Sequence, residues 1–251
     1  MNSKMMATLR FIKQSLVPLF IRRMLGHGGS WLMRMGEPAE SPPTPNLAGD
    51  REIENCWILA EMGHGPGEAL DFGCGRSSLG LVVAMRGYNV TSIDLEPVWW
   101  PYIVPNLRFV QGDLLKIEFP PQSFDLVINC STVEHVGLAG RYGVIENRHD
   151  GDLEAMARLR GLMKPGGMML LTIPVGQDAV LTPLHRVYGA KRLPQLIEGY
   201  KVKREAFWVK DNENRWMMCD KETALNFKAS SRSWDPLWNV YALGCFVLRR
   251  S

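Results

Sequence analysis

The chain has 251 residues, 46% hydrophobic and 22% charged, figures that allow a sizeable core and exclude disorder over most of its length. Its 29 Lys and Arg against 26 Asp and Glu leave a net charge of only +3, too little for a protein that coats a nucleic-acid duplex. Five cysteines and five histidines are scattered without a C-x-x-C spacing, so neither a disulfide framework nor a metal centre is expected, which suits a reducing cytoplasm.

The charge is unevenly placed. Residues 1–36 contain Lys4, Arg10, Lys13, Arg22, Arg23 and Arg34 and no acid, so the rest of the chain stands at −3 against the whole-chain +3. The same segment carries Leu9, Phe11, Ile12, Leu16, Val17, Leu19, Phe20 and Ile21. Its uncharged run, residues 14–21, is far shorter than the roughly 20 residues of a spanning helix. Pro18 would kink a helix there, and no small-residue cleavage site comes after it. The segment reads as a basic amphipathic helix, either touching an anionic membrane surface or packed on the body of the protein; a transit peptide is a third option. Residues 37–49, with Pro38, Pro42, Pro43 and Pro45, read as an extended linker. A domain over residues 50–251 is then expected to open with Asp50 as the N-cap of a helix through Ile53, Trp57 and Ile58.

From Glu68 the chain alternates. Residues 69–72 form a short apolar run ending in Gly73-Cys74-Gly75, a strand and a tight turn. A helix is predicted over Leu79–Met85, closed by Arg86-Gly87, then strands over 89–94, 107–113 and 124–129. Asp152 is placed to cap a helix with Leu153, Met156, Leu159, Leu162 and Met163 on one face, and Lys164-Pro165-Gly166-Gly167 should stop it. Residues 168–175 are a further, nearly all-apolar strand. Strands that are apolar on both faces and alternate with helices indicate a parallel sheet covered by helices. The last third differs: a short helix over 192–199, then strands over 202–209 and 241–249 without a long crossover, which favours antiparallel pairing at one edge.

Ligands of open parallel sheets bind beyond the carboxyl ends of the strands. That directs attention to Asp71–Gly75, to Asp94 at the end of the second strand, to Gly112-Asp113 after the third, and to residues 129–135. Gly73 and Gly75 allow positive φ and close backbone approach. Ser78 stands where a dinucleotide fingerprint needs its third glycine, and the next glycine, Gly80, is off that spacing. Asp94 can accept the hydroxyls of a ribose, and Asp113 can meet an adenine.

Taken in this order, these features resemble the class I S-adenosylmethionine-dependent methyltransferases. Ser123–Ile128 with Val133-Glu134-His135 after it is similar to that superfamily's fourth strand and adjoining loop, and Leu159–Gly167 to its helix–turn–strand signature. The resemblance covers about residues 68–175. It implies a Rossmann-like, doubly wound α/β fold, with a mostly parallel seven-stranded sheet and an antiparallel C-terminal strand pair. It also implies S-adenosylmethionine as cofactor. Asp71, Gly73, Cys74 and Gly75 would contact its methionine part, Asp94 and Leu95 its ribose, and Asp113 and Leu114 its adenine, with Cys130 and Ser131 lining the pocket. Ser77 at the third small position of the glycine loop is a departure. A nicotinamide-dependent dehydrogenase is the remote alternative.

The residues after the fourth strand bear on the acceptor. Asn129-Cys130-Ser131-Thr132 is not the Asn/Asp-Pro-Pro-aromatic motif of amine methylation in nucleic acid or glutamine. His135 is the candidate general base, with Glu134 beside it; the other reading is that His135 merely packs in its loop. The polar loop 137–150 offers Arg141, Tyr142 and His149 as substrate contacts, and a later cluster offers His185, Arg186 and Tyr188. These groups suit O-methylation of a sugar, a lipid-linked glycan or another small molecule, with no nucleic-acid partner. A non-catalytic scaffold of the same fold and a protein or RNA methyltransferase are the alternatives. The oligomeric state is not legible in the sequence.

Overall fold

The computed structural model describes residues 44–232 and 234–251. The predicted segment 1–36 and residues 37–43 of the predicted linker lie outside the described residues. The rest of that linker is tied to the body. The Asn46 backbone N–H donates to the Trp238 carbonyl at 3.4 Å, its side-chain amide to the Pro236 carbonyl at 2.9 Å, and Trp216 Nε1–H to the Ala48 carbonyl at 3.0 Å.

The elements, in chain order, are α1 (Asp50–Glu61), β1 (Gly67–Phe72), α2 (Leu79–Met85), β2 (Tyr88–Asp94), β3 (Leu107–Gln111), β4 (Phe124–Cys130), a 3₁₀ turn (Val133–His135), α3 (Gly151–Leu162), β5 (Met163–Val175), β6 (Ala179–Leu181), β7 (His185–Val187), α4 (Arg192–Leu196), β8 (Tyr200–Lys210), β9 (Trp216–Cys219), α5 (Lys221–Asn226) and β10 (Ala242–Arg250). The expected α/β, doubly wound, mostly parallel sheet is present. It has eight described strands rather than seven, in the order β3-β2-β1-β4-β5-β10-β8-β9. The first five neighbours run parallel. β10 runs antiparallel between β5 and β8, and β9 adds a further antiparallel edge strand. A separate hairpin joins β6 to β7.

The period-2 alternation of the strands sorts their side chains between two cores. Val127 of β4 and Leu70 of β1 face α3, packing with Met156 and Leu159. Their neighbours Leu126, Ile128 and Ala69 face α1 and α2, packing with Trp57, Ile58 and Val83. Residues 95–106 and 112–123 link β2 to β3 and β3 to β4 without a helix.

Three local expectations are corrected. The N-cap of α1 is Gly49, at φ 87°, and Asp50 is the first helical residue. The N-cap of α3 is Asp150, and Asp152 is its second helical residue. Residues 163–167 are not a turn before a strand but its bulged start: Phe124 pairs with Met163 and Leu126 with Met168, and the register shifts between them, with Gly166 at φ 72°.

Candidate active site

In this strand order β1 is the switch point. The chain winds outward through β2 and β3 on one side and through β4 and β5 on the other, leaving a crevice at their carboxyl ends. A cavity of about 1220 Å³ occupies it, and all ten predicted cofactor residues line it: Asp71, Gly73, Cys74, Gly75, Asp94, Leu95, Asp113, Leu114, Cys130 and Ser131.

The glycine turn is built by close approach. Gly73 sits at φ 69°, and a Cβ on it would lie 2.0 Å from Thr132 Cγ2. Its N–H donates to the Ile93 carbonyl at 2.8 Å, folding the turn onto β2. Gly75 sits at φ 49°, and a Cβ there would meet nothing within 4 Å; its backbone is open to the cavity. The role that the fingerprint gives to a third glycine falls to Gly80, whose Cβ would lie 2.9 Å from Asp71 Oδ2 and 2.6 Å from Ser92 Oγ. The buried Asp71 carboxylate accepts from Ser92 Oγ at 3.1 Å. Burial is the main reason its pKa is pushed up to about 7, with the Asp94 charge adding to the rise and the Ser92 and Gly80 donors opposing it. Asp71 therefore anchors α2 to the strands from beneath the turn.

Asp94 is held from both sides: Oδ2 accepts the Gly75 N–H at 2.8 Å and Oδ1 the Glu96 N–H at 3.0 Å. Each oxygen keeps a lone pair for another donor. Asp113 Oδ1 accepts the Leu115 N–H at 2.9 Å, and Leu114 beside it is buried. An open glycine backbone, a fixed carboxylate on β2 and a polar–apolar pair after β3 fit the amino-acid, ribose and adenine parts of S-adenosylmethionine.

The β4 side holds residues that the sequence did not reveal. Glu54 of α1 is wholly buried. It accepts from Ser131 Oγ, from Thr172 Oγ1 at 2.7 Å and from Arg51 Nη1 at 2.6 Å. Burial raises its pKa, against the Arg51 charge and the two hydroxyl donors. Arg51 and Asn55 reach the cavity wall. One signal was present: Glu54 lies on the same helical stripe as Trp57 and Ile58, and an acid in an apolar stripe needs a buried partner.

His135 lines the cavity. Its Nδ1 lies 2.6 Å from the Leu184 carbonyl; a carbonyl only accepts, so Nδ1 carries the proton and Nε2 is the acceptor. Burial pushes its pKa down to about 3, assisted by the nearby Arg141 and His185, while the Leu184 carbonyl opposes the shift. Glu134 is buried and does not belong to the cavity wall. Burial pushes its pKa up to about 8, so it is mostly protonated at neutral pH. Its Oε1 stands 3.7 Å from His135 Nε2, beyond hydrogen-bond range. Tyr142, at φ 53°, meets the His135 ring edge-to-face at 5.4 Å and lines the cavity. Arg141 lies over the Tyr142 ring at 4.6 Å.

The remaining predicted substrate residues are elsewhere. His149 is exposed and pairs with Asp150 at 2.8 Å, outside the cavity. Arg186 is 2% exposed. It donates to the carbonyls of Val136 at 2.6 Å, Glu134 at 3.3 Å, Arg148 at 3.0 Å and His149 at 3.2 Å, with Asp152 3.6 Å from its Nε. Tyr188 is fully buried and pairs by its backbone with Pro174 at 3.0 Å. His185 packs edge-on against Tyr241 at 5.0 Å. The β6–β7 hairpin folds this cluster inward, so three groups expected to contact substrate are buried away from the cavity.

Comparison with known proteins bears on the fold and on the cofactor. A family model described as "Caenorhabditis protein of unknown function, DUF268" matches residues 116–231. A Mycolicibacterium smegmatis protein named as a probable S-adenosylmethionine-dependent methyltransferase is 24% identical over 67% of this chain and 70% of its own length. The Mus musculus EEF1A lysine methyltransferase 4 is 32% identical over 43% of this chain and 46% of its own, so the chain spans less than half of that relative. The fold is similar to that of the N-methyltransferase NodS from Bradyrhizobium japonicum, solved with S-adenosylhomocysteine, at TM-score 0.51 and 14% identity, covering 88% of this chain and 97% of NodS.

The fold is Rossmann-like, and the cavity at the strand ends has room and polar groups that fit an adenosyl cofactor. The chain is similar to the class I S-adenosylmethionine-dependent methyltransferases; it is an S-adenosylmethionine-dependent methyltransferase, with S-adenosylmethionine as its cofactor.

Proposed function

We propose that the enzyme methylates a hydroxyl group on a sugar, a lipid-linked glycan or another small molecule, in the cytoplasm. The observation that carries this is His135: an uncharged imidazole, fixed in one tautomer by Leu184, at the wall of the cofactor cavity. The bound cofactor supplies an electrophilic methyl group on a sulfonium. The Gly73–Gly75 backbone and Cys74 hold its amino-acid part and Asp94 its ribose, with Leu95 alongside. Asp113 and Leu114 frame the adenine, and Cys130 and Ser131 close the β4 side. Asp71 acts through the turn above it.

His135 Nε2 accepts a hydrogen bond from the acceptor hydroxyl and so aims the oxygen lone pair. A hydroxyl oxygen becomes strongly acidic as it is alkylated, so a weak base suffices to take the proton at that stage. An ammonium acceptor must lose its proton beforehand, at a pKa near ~10, and an imidazole with so depressed a pKa is unsuited to that. Tyr142 forms the adjoining wall and contacts the acceptor, while Arg141, outside the cavity lining, stacks over the Tyr142 ring. The basic segment 1–36 supplies a peripheral contact with anionic membrane, where a lipid-linked acceptor would reside.

A second reading, methylation of a protein lysine, is favoured by the match to the mouse lysine methyltransferase. Labelled S-adenosylmethionine added to host extract, fractionated into polar small molecules, lipid-extractable glycans and protein, separates the two. Label in either of the first two fractions supports the proposal. Label confined to protein overturns it in favour of lysine.

A further inference from the structure

The cavity has a cationic group whose position is fixed from below. Arg51 is about half exposed (54%), whereas its partner Glu54 is 0% exposed. Glu54 itself is clamped by the hydroxyls of Ser131, at the end of β4, and Thr172 of β5. Its carboxylate therefore cannot follow Arg51 about; Arg51 is drawn to it, above the Cys130 thiol, 3.8 Å from Nη1. The ion pair engages Nη1 alone. Among the described residues, Nε and Nη2 make no hydrogen bond. A guanidinium presents five N–H donors in a rigid fork, so a carboxylate-binding edge remains beside the cavity.

The sheet order says which end of the cofactor that edge meets. Asp94 closes β2 and Asp113 follows β3, both on one side of the glycine turn, while Cys130 and Ser131 follow β4 on the other. With ribose and adenine on the β2–β3 side, the amino-acid end of the cofactor points toward β4, where Arg51 stands. We propose that Arg51, positioned by the buried Glu54, binds the carboxylate of the cofactor's amino-acid moiety. The inference rests on the cofactor placement given above. Arg76 also lines the cavity, but it is exposed and has no buried acid to orient it, which makes it the control.

The test is calorimetric binding of two ligands: S-adenosylhomocysteine, which carries the carboxylate, and 5′-methylthioadenosine, which lacks the amino-acid group. Arg51→Gln should weaken S-adenosylhomocysteine by about 10- to 100-fold, the worth of one charged hydrogen bond or slightly more, and leave methylthioadenosine within about twofold. Arg51→Lys should recover part of the loss, and Glu54→Gln should show a weaker form of the same selective loss. Arg76→Gln should change neither ligand. Unchanged S-adenosylhomocysteine affinity in Arg51→Gln overturns the proposal, and so does a parallel loss of both ligands in the Gln and Lys variants, or a selective loss that appears in Arg76→Gln instead. Wild-type protein that bound neither ligand would be a different failure, that of the cofactor placement itself.

Discussion

Asp94 is the sharpest test of the cofactor site. Its Oδ2 takes the Gly75 N–H and its Oδ1 the Glu96 N–H, so the carboxylate is fixed before any ligand arrives and its remaining lone pairs are aimed. Two ribose hydroxyls would each donate a charge-assisted bond worth about 1.5–3 kcal/mol. The pair amounts to about 3–6 kcal/mol, or roughly two to four decades of affinity at about 1.4 kcal/mol per decade. Water entering the truncated site recovers part of this, so Asp94→Ala is expected near the lower bound, about 100-fold weaker for S-adenosylhomocysteine. Asp94→Asn should fall between Ala and wild type. Its amide NH₂ must face one of the two backbone N–H groups, so it cannot satisfy both. Isothermal titration of the three proteins reads the series directly. A dissociation constant for Asp94→Ala within about threefold of wild type would refute the ribose assignment and, with it, the polarity of the cofactor along the sheet.

Other consequences concern protons and surfaces. His135→Ala should abolish turnover while leaving S-adenosylhomocysteine affinity within about twofold; full turnover would remove it as the acceptor of the substrate proton. With its pKa near 3, His135 should give no protonation limb in kcat between pH 5 and 8, and a limb at the ordinary histidine value would contradict its burial. Glu134 has its folded pKa raised, to about 8, so its stabilising contribution is complete below the unfolded carboxylate value and is lost as pH rises through the folded one. The melting-temperature advantage of Glu134→Gln over wild type should widen from about pH 4.5 to about pH 8 and then level; a difference independent of pH would mean that the acid is not buried and neutral. Replacing Lys4, Arg10, Lys13, Arg22, Arg23 and Arg34 by Gln in the full chain should release it from anionic vesicles, at about 1 kcal/mol per charge near the surface, without altering cofactor affinity; retained binding would end the membrane proposal.

Much of this architecture was readable because strand periodicity is a strong signal. Leu126, Val127 and Ile128 are apolar in succession and are all buried, as a strand covered on both faces must be. The edge strand Trp216–Cys219 was missed because Met217 and Met218 are largely exposed, and an edge strand lacks a two-faced pattern. The glycine turn, Asp94 and Asp113 were readable because the ends of parallel strands follow from the strands themselves. The misread residues share one cause. Polar groups in a loop look solvated, and nothing in the string His185-Arg186-Val187-Tyr188 says that a hairpin will turn them inward. Arg51 and Glu54, three apart on a helix, look like an ordinary surface pair; the apolar stripe that Glu54 shares with Trp57 and Ile58 is the one sign of its burial, and its partners Ser131 and Thr172 lie too far along the chain to be read. The Gly80 spacing misled in the opposite direction, because close approach to Asp71 and Ser92 can be met by a glycine two residues beyond the expected position.

The four carbonyls that receive the Arg186 guanidinium fall into two groups. Glu134 and Val136 lie where the chain leaves the cofactor pocket, and Arg148 and His149 where it returns toward α3. The Arg148 N–H to Gly137 carbonyl bond at 2.8 Å closes the same neck. One interior side chain thus ties off a loop whose tip, residues 138–147, is left outside the knot. The entropy of a closed loop grows only logarithmically with its length, so the exposed part of that tip can change in length at small thermodynamic cost as long as Leu138 stays buried and Tyr142 keeps its contact with His135. The neck holds the His135 end of the loop independently of the exposed residues at its tip, and Tyr142 is the link between the two.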